Sequence, residues 1–339
     1  MPGGQAQTIY SALWARTHEP PYPVWQRQRW ATPDQDFIDV DWLTHGPQSP
    51  HGASSQVACA DDATPTAMRQ PAAQDAVLCV LFHGLEGSSR SHYARAWADQ
   101  ARRWGWSLAV PHFRGCSGEP NRAPRAYHSG DFEEIGWILQ RMRRGHAGRL
   151  LAVGVSLGGN ALMRWAQESG ATATQVVDAV ASVGSPLDLM ASGHAIGRGF
   201  NHWVYTPKFL RTMKPRALAK LAQYPGLFDR EALLRARNLY EFDDLFTAPL
   251  HGFTGVEDYW RRASSASHFQ RVQVPALVIN ALNDPFVPAP SLPGLQDVSP
   301  QVTLWRPAQG GHVGFVADGF PGDVRGLPRA IGDWFCALS

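Results

Sequence analysis

A serine stands between two glycines in the pentapeptide Gly-Val-Ser-Leu-Gly at 154–158. The apolar run 150–155 ahead of Ser156 predicts a strand buried in a sheet, and helix-forming residues follow from 160 to 168. A sharp strand-to-helix turn with small neighbours lifts a serine hydroxyl clear of the sheet, where it can act as a nucleophile. The alternative is a glycine-rich turn in which Ser156 only caps the helix.

A nucleophilic serine needs a base to accept its proton and an acid to orient that base. Asp284 follows a predicted strand at 276–280, at the carboxyl end of the sheet where α/β folds bind ligands. The alternative for Asp284 is a turn aspartate before a proline. His312 follows the last predicted strand, and glycines on both sides let its loop arch over the strand ends. The sequence therefore predicts Ser156, Asp284 and His312 as one catalytic set. Asp188, after the preceding strand, is the reserve for the acid.

Two backbone N–H groups are candidates to stabilise the oxyanion that forms when a serine attacks a carbonyl group. One belongs to Leu157, directly after the nucleophile, and the other to Leu85 in the loop 83–87 after a predicted strand. Gly84 and Gly87 allow this loop to turn inward. A phosphate-binding loop is the weaker alternative, because no Gly-Lys-Ser or Gly-Lys-Thr follows.

The elements that must position these residues alternate along the chain. Apolar runs predict strands at 37–42, 76–82, 107–113, 149–155, 176–183, 276–280 and 302–305. Helical patterns lie at 92–104, 131–144, 160–168 and 323–338. The first strand alternates apolar and acidic residues, which predicts a half-buried antiparallel strand at a sheet edge. The fold class is therefore α/β, a mostly parallel sheet with helices on both faces.

One stretch interrupts this alternation. Between 187 and 269 no buried strand is predicted, and helical segments carry many aromatic residues. We interpret 187–269 as a helical lid inserted after the strand that follows the nucleophile helix, in a core formed by 1–186 and 270–339. The polar segment 45–75 is predicted to be a long surface loop. The aromatic lid favours an apolar acyl chain in the substrate, although the same rings could simply pack the lid onto the core.

Composition argues against several other classes of function. A chain of 339 residues with 44% apolar residues can bury a large core, and its net charge of +2, with acids and bases interspersed, gives no basis for nucleic-acid binding. The four cysteines lack any Cys-x-x-Cys spacing, so reduced thiols are expected rather than a metal site or disulfides. No cofactor is expected. The sequence has no secretory-type apolar stretch and no run as long as a membrane span, which predicts a cytoplasmic protein. It does not define an oligomeric state.

The blocks around these residues resemble the YheT-like branch of the α/β-hydrolases, the AB hydrolase 4 family. The resemblance covers most of the chain, in blocks at 83–88, 113–130, 154–160, 283–285 and 310–315. The Arg-Gly-Cys-Ser-Gly sequence that begins at Arg114, with the Tyr-His-Ser-Gly that begins at Tyr127, is specific to this branch. The resemblance implies the α/β-hydrolase fold, ester substrates, and a triad of Ser156, Asp284 and His312.

The chain departs from the family pattern in its first hairpin. Relatives often carry Asp-Gly-Asp there, whereas this chain has Asp34-Gln35-Asp36. Glutamine does not adopt a positive φ as easily as glycine, so the geometry of this turn is open.

We therefore expect a serine hydrolase that cleaves carboxylic esters of small-molecule type through an acyl-enzyme on Ser156. The first alternative is an acyltransferase that passes the same acyl group to an alcohol. The second is a non-catalytic hydrolase-fold binding protein, whose usual mark is a broken triad. Cys116 and His128 are expected to serve buried hydrogen bonds rather than chemistry. The basic stretch 207–224 has the composition of a membrane-surface helix, but a solvated lid face explains it equally well.

Overall fold

The computed structural model describes residues 3–44, 58–60, 76–317 and 320–338. At its centre is a sheet of nine strands in the order β3-β1-β2-β5-β4-β6-β7-β8-β9. The strands are β1 Trp25–Ala31, β2 Phe37–Leu43, β3 Ala58–Ala60, β4 Val77–Phe82, β5 Ser107–Pro111, β6 Arg149–Val155, β7 Ala179–Val183, β8 Ala276–Ile279 and β9 Val302–Trp305. Strand β2 runs antiparallel to β1 and β5, and the other neighbouring pairs run parallel. The predicted mostly parallel sheet is confirmed.

Helices cover both faces of this sheet. They are α1 Gly4–Leu13, α2 His92–Trp104, α3 Phe132–Gly145, α4 Leu157–Ser169, α5 Leu189–Ile196, α6 Gly199–Gln223, α7 Arg230–Arg235, α8 Leu239–Phe242, α9 Ala248–Leu250, α10 Val256–Ala263 and α11 Gly326–Cys336. Successive residues of β4 show the two layers: Val80 joins the apolar cluster that contains Ile138 of α3, and Leu81 joins the one that contains Trp97 of α2. Strands buried on both faces give the continuous apolar runs seen in the sequence.

Strand β2 is not the half-buried edge strand that its alternation predicted. It is buried along almost its whole length and lies between β1 and β5. Asp39 and Asp41 are buried because each makes a two-point hydrogen bond with an arginine of β1, Asp39 with Arg29 and Asp41 with Arg27. Alternating acids here mark ion pairs between strands rather than exposure to water.

The hairpin between β1 and β2 answers the question raised by Asp34-Gln35-Asp36. Gln35 takes the left-handed conformation, with φ of 63°, and its N–H donates to the carbonyl of Thr32. Asp36 accepts hydrogen bonds from the N–H groups of Arg122 and Ala123 at 2.7 and 3.0 Å. The turn geometry is thus kept without glycine, at the cost of a conformation that is unfavourable for glutamine.

The predicted surface loop at 45–75 lies outside the described residues, apart from Ala58–Ala60. That short segment is strand β3, which pairs with β1 and forms an outer edge of the sheet.

The segment between β7 and β8 is helical. It contains α5 to α10, with a π-helical turn at Asp243–Thr247 joining α8 to α9, and it is described throughout without a strand. It has an apolar cluster of its own, which includes Leu233, Phe242 and Trp260. Among the described residues, none of the helices combines the length and apolar character needed to cross a bilayer.

Candidate active site

Ser156 occupies the turn between β6 and α4 in a strained conformation, with φ of 53° and ψ of −121°. Its N–H donates to the carbonyl of Val183 at 2.8 Å, which fixes the turn to the neighbouring strand. A Cβ on Gly154 would lie 2.5 Å from the carbonyl oxygen of Gly158, and one on Gly158 would lie 2.5 Å from that of His83. The flanking glycines are therefore required by the close approach of backbone segments.

Asp284 and His312 lie beside Ser156, at the carboxyl ends of the strands. The imidazole Nδ1 is 2.9 Å from Oδ2 of Asp284, and Nε2 is 3.0 Å from Oγ of Ser156. A carboxylate can only accept, so Nδ1 carries the proton and Nε2 accepts from the serine hydroxyl. The other oxygen of Asp284 accepts from the N–H of Phe286 at 2.8 Å, and the carboxylate is fully buried. The structure thus brings the three predicted side chains together in one hydrogen-bonded chain.

Helix α1, which the sequence analysis did not predict, holds the loop of His312. The N–H of His312 donates to Oγ1 of Thr8 at 2.8 Å. Oε1 of Gln7 accepts from the N–H of Gly310 at 2.8 Å and from the side-chain amide of Asn283 at 2.9 Å. One turn of α1 therefore connects the loop that carries the acid to the loop that carries the imidazole.

The loop 83–87 is fixed by two tyrosine hydroxyls. Tyr93 accepts from the N–H of Gly84 at 2.8 Å, and Tyr127 accepts from the N–H of Glu86 at 3.1 Å. The hydroxyl of Tyr127 also donates to Oε1 of Glu86 at 2.8 Å. Between them, the N–H of Leu85 has no hydrogen-bond acceptor in the described chain. This N–H remains available to a bound molecule.

His83 supports the same loop from inside the core. Its Nε2 accepts from the N–H of Phe113 at 3.1 Å, so Nδ1 carries the proton and donates to the carbonyl of Gly84 at 2.8 Å. Burial lowers the pKa of His83 to about 3, and a neutral imidazole fits both contacts. The histidine that begins the predicted oxyanion loop is therefore structural.

A cavity of about 370 Å³ opens onto Ser156 and His312. Leu85 and Leu157 line it on the side of the core. The opposite wall comes from the helical segment and is mostly apolar, with Leu189, Ile196, Phe209, Met213, Phe242, Phe246 and Trp260. Arg216 and Glu86 also line it and form an ion pair of 3.2 Å between α6 and the loop 83–87. The volume is in the range of small-molecule sites.

The remaining candidates have structural roles. Asp188 caps α5, where its carboxylate accepts from the N–H of Ala191 at 3.0 Å. The thiol of Cys116 accepts from the guanidinium of Arg216 at 2.8 Å, and burial raises its pKa to about 12. Nδ1 of His128 accepts from the N–H of Gly130 at 3.2 Å, and burial lowers the pKa of this imidazole to about 3. Within the described residues, no three His, Cys, Asp or Glu side chains are grouped so that they could hold a metal ion.

Comparison with known proteins places the chain in a family. The family model described as "alpha/beta hydrolase fold" matches residues 78–318, and the chain belongs to that family. Within the family it is similar to the Escherichia coli (strain K12) protein named "Putative esterase YheT", with 37% identity over 316 residues that cover 92% of this chain and 84% of the relative. The predicted YheT-like branch is confirmed.

Two further similarities are more distant. The "Medium-chain fatty acid ethyl ester synthase/esterase 2" of Saccharomyces cerevisiae is 29% identical over 271 residues, which cover 71% of this chain and 58% of the yeast protein. The chain thus spans less than two thirds of the yeast protein. A solved structure of the Pyrococcus furiosus esterase Pf2001 superposes with a TM-score of 0.53 over 93% of each chain at 14% identity. At that identity the similarity concerns the fold alone.

Proposed function

We propose that this protein is a serine esterase in which Ser156 attacks the carbonyl carbon of a carboxylic ester. The observation that carries the proposal is the hydrogen-bonded path from Ser156 through His312 to Asp284, with distances of 3.0 and 2.9 Å, at the wall of a cavity. The names of the relatives, an esterase and an ester synthase/esterase, support an ester as the substrate.

The proposed mechanism proceeds through an acyl-enzyme. Nε2 of His312 accepts the proton of Ser156 as Oγ forms a bond to the carbonyl carbon, and Asp284 stabilises the resulting imidazolium. His312 then donates this proton to the leaving alcohol as the ester bond breaks. Water, deprotonated by the same imidazole, attacks the acyl group and releases the acid and free Ser156.

The N–H groups of Leu85 and Leu157 bind the oxyanion in this proposal. Leu157 is the first residue of α4, where backbone N–H groups lack partners within the helix. The tyrosine hydroxyls bind the N–H groups on either side of Leu85, and among the described residues the N–H of Leu85 itself has no acceptor. Donors that are fixed before the reaction stabilise the transition state without reorganisation.

The helical segment 187–269 serves as a lid in this proposal. Its side chains form the apolar wall of the cavity, which favours esters with an apolar acyl chain over small polar ones. Core residues 1–186 and 270–339 carry the reacting groups.

A panel of p-nitrophenyl esters of increasing acyl length tests both parts of the proposal. We expect kcat/KM to rise with chain length until the cavity is filled, and Ser156→Ala to lower kcat by about a million-fold. Ser291→Ala is the matched control, because Ser291 only donates to a backbone carbonyl outside the site. Undiminished turnover by pure Ser156→Ala protein would refute the mechanism, and a preference for acetate esters would refute the apolar acyl chain.

Acyl transfer to an alcohol is a second candidate, and the name of the yeast relative favours it. Both reactions share the acyl-enzyme, so they differ only in what attacks it. Adding ethanol to the assay separates them: an acyltransferase forms ethyl ester in preference to free acid, whereas a hydrolase releases free acid.

A further inference from the structure

The outer face of α6 carries exposed apolar and basic side chains. Trp203 is 78% exposed, Phe200 52% and Val204 39%. Lys208 and Arg211 follow on the same face, because spacings of three, four, eight and eleven residues from Phe200 fall on one side of a helix. We call these five residues the α6 surface.

The same helix separates this surface from the cavity. Phe209, Met213 and Arg216 lie on other sides of α6 and line the cavity that opens onto Ser156. Near its start, α6 is attached to the loop that follows β8, because the side-chain amide of Asn201 donates to the carbonyl of Pro285 at 2.6 Å. The exposed aromatic rings therefore lie on a fixed helix.

The charged side chains of α6 are all positive. It has five cationic residues and no Asp or Glu. Lys214 and Lys220 donate to backbone carbonyls, and Arg216 pairs with Glu86. Lys208 and Arg211 make no hydrogen bond or ion pair within the part of the chain that the structure describes. Both cations are thus free to pair with an external anion.

We propose that the α6 surface docks on a lipid bilayer that contains anionic headgroups. Exposed aromatic rings beside unpaired cations suit such a surface. The rings enter the boundary between headgroups and acyl chains, while the cations contact the phosphates. A cluster of large exposed apolar side chains is also uncommon on a soluble monomer without a binding role. Docking would bring the wall of the cavity to the source of an apolar ester. Only this last step rests on the proposed function.

Vesicle flotation with the full chain tests the proposal. Ser156→Ala protein is used throughout, so binding is measured without turnover and a failed esterase assay does not affect the result. We expect binding to vesicles of phosphatidylcholine mixed with phosphatidylglycerol, and much weaker binding to phosphatidylcholine alone. Replacing Lys208 and Arg211 by glutamine should weaken binding by about 25-fold, about fivefold for each cation. Trp203→Ala should weaken it by about tenfold or more.

Two control variants keep the test specific. Leu295→Ala removes another side chain that is 79% exposed, and Arg144→Gln removes an exposed cation from α3; neither should change binding. Circular dichroism of each variant checks the fold. No binding of the parent to anionic vesicles, equal binding to neutral ones, or binding that is unchanged in all α6 variants overturns the proposal. A dimer that Trp203→Ala converts to a monomer also overturns it, since a second copy would then cover the surface.

Discussion

Replacing Thr8 by valine tests whether α1 holds the histidine loop in its working position. Oγ1 of Thr8 accepts from the N–H of His312 at 2.8 Å and donates to the carbonyl of Gly4 at 2.7 Å. Valine has nearly the same shape but no acceptor. The N–H of His312 then faces the apolar valine side chain without an acceptor. An unsatisfied buried N–H of this kind costs about 1–3 kcal/mol.

We expect this cost to appear in kcat, because a loop that shifts towards another acceptor moves the imidazole away from Ser156. About 1.4 kcal/mol corresponds to a tenfold change in rate, so kcat should fall between about fivefold and 150-fold. KM for a short p-nitrophenyl ester should change little, since Thr8 does not line the cavity. Thr8→Ser keeps the hydroxyl and is the matched control. If Thr8→Val has the kcat of the Thr8→Ser protein, α1 does not position His312.

Three further predictions concern the acid Asp284, the turn at Gly158 and the buried His128. Asp284→Asn should lower kcat by about ten-thousandfold, because it changes the tautomer of the imidazole, and steady-state kinetics with circular dichroism would separate this from unfolding. Gly158→Ala should lower the unfolding temperature because its Cβ would lie 2.5 Å from a carbonyl oxygen, an overpacking that costs at least about 1–3 kcal/mol. Gly145→Ala, with nothing within 4 Å of the added Cβ, should not lower it. Burial lowers the pKa of His128 to about 3, so below the unfolded pKa of about 6.5 only the unfolded chain takes up this proton and stability falls. In urea unfolding, the free energy of unfolding of His128→Asn should therefore fall less on acidification than that of the wild type, by up to about 1.4 kcal/mol per pH unit. Equal losses would contradict a buried His128 that stays neutral in the folded protein.

The arrangement of the core could be predicted because its signals are local. Buried parallel strands are apolar along their length. Ser156 stands directly after β6, and Asp284 and His312 lie in the loops that follow β8 and β9. The glycines around Ser156 and His312 carry geometric information of their own, since Gly158 faces a carbonyl oxygen and Gly311 has φ of 57°. The order of Ser156, Asp284 and His312 along the chain then suggests that these three side chains meet.

Strand β1 and helix α1 could not be predicted because the contacts that stabilise them involve residues outside their own segments. Strand β1 reads Trp-Gln-Arg-Gln-Arg-Trp-Ala, which resembles a solvated segment until Asp39 and Asp41 of the neighbouring strand neutralise its arginines. The buried residues of α1 are polar, and Thr8 meets a residue 304 positions away. No periodicity of apolar residues marks either element, so only the folded chain reveals them.

Labelling with an aryl fluorophosphonate, followed by peptide mass spectrometry, tests the central claim most directly. The reagent reacts with a serine only when a neighbouring base activates its hydroxyl. We predict a single phosphonyl adduct on Ser156 in the wild-type protein and a greatly slowed reaction in a folded His312→Ala variant. A wild-type protein that stays unlabelled, or that carries the adduct on another serine, would contradict the assignment of Ser156 as the nucleophile.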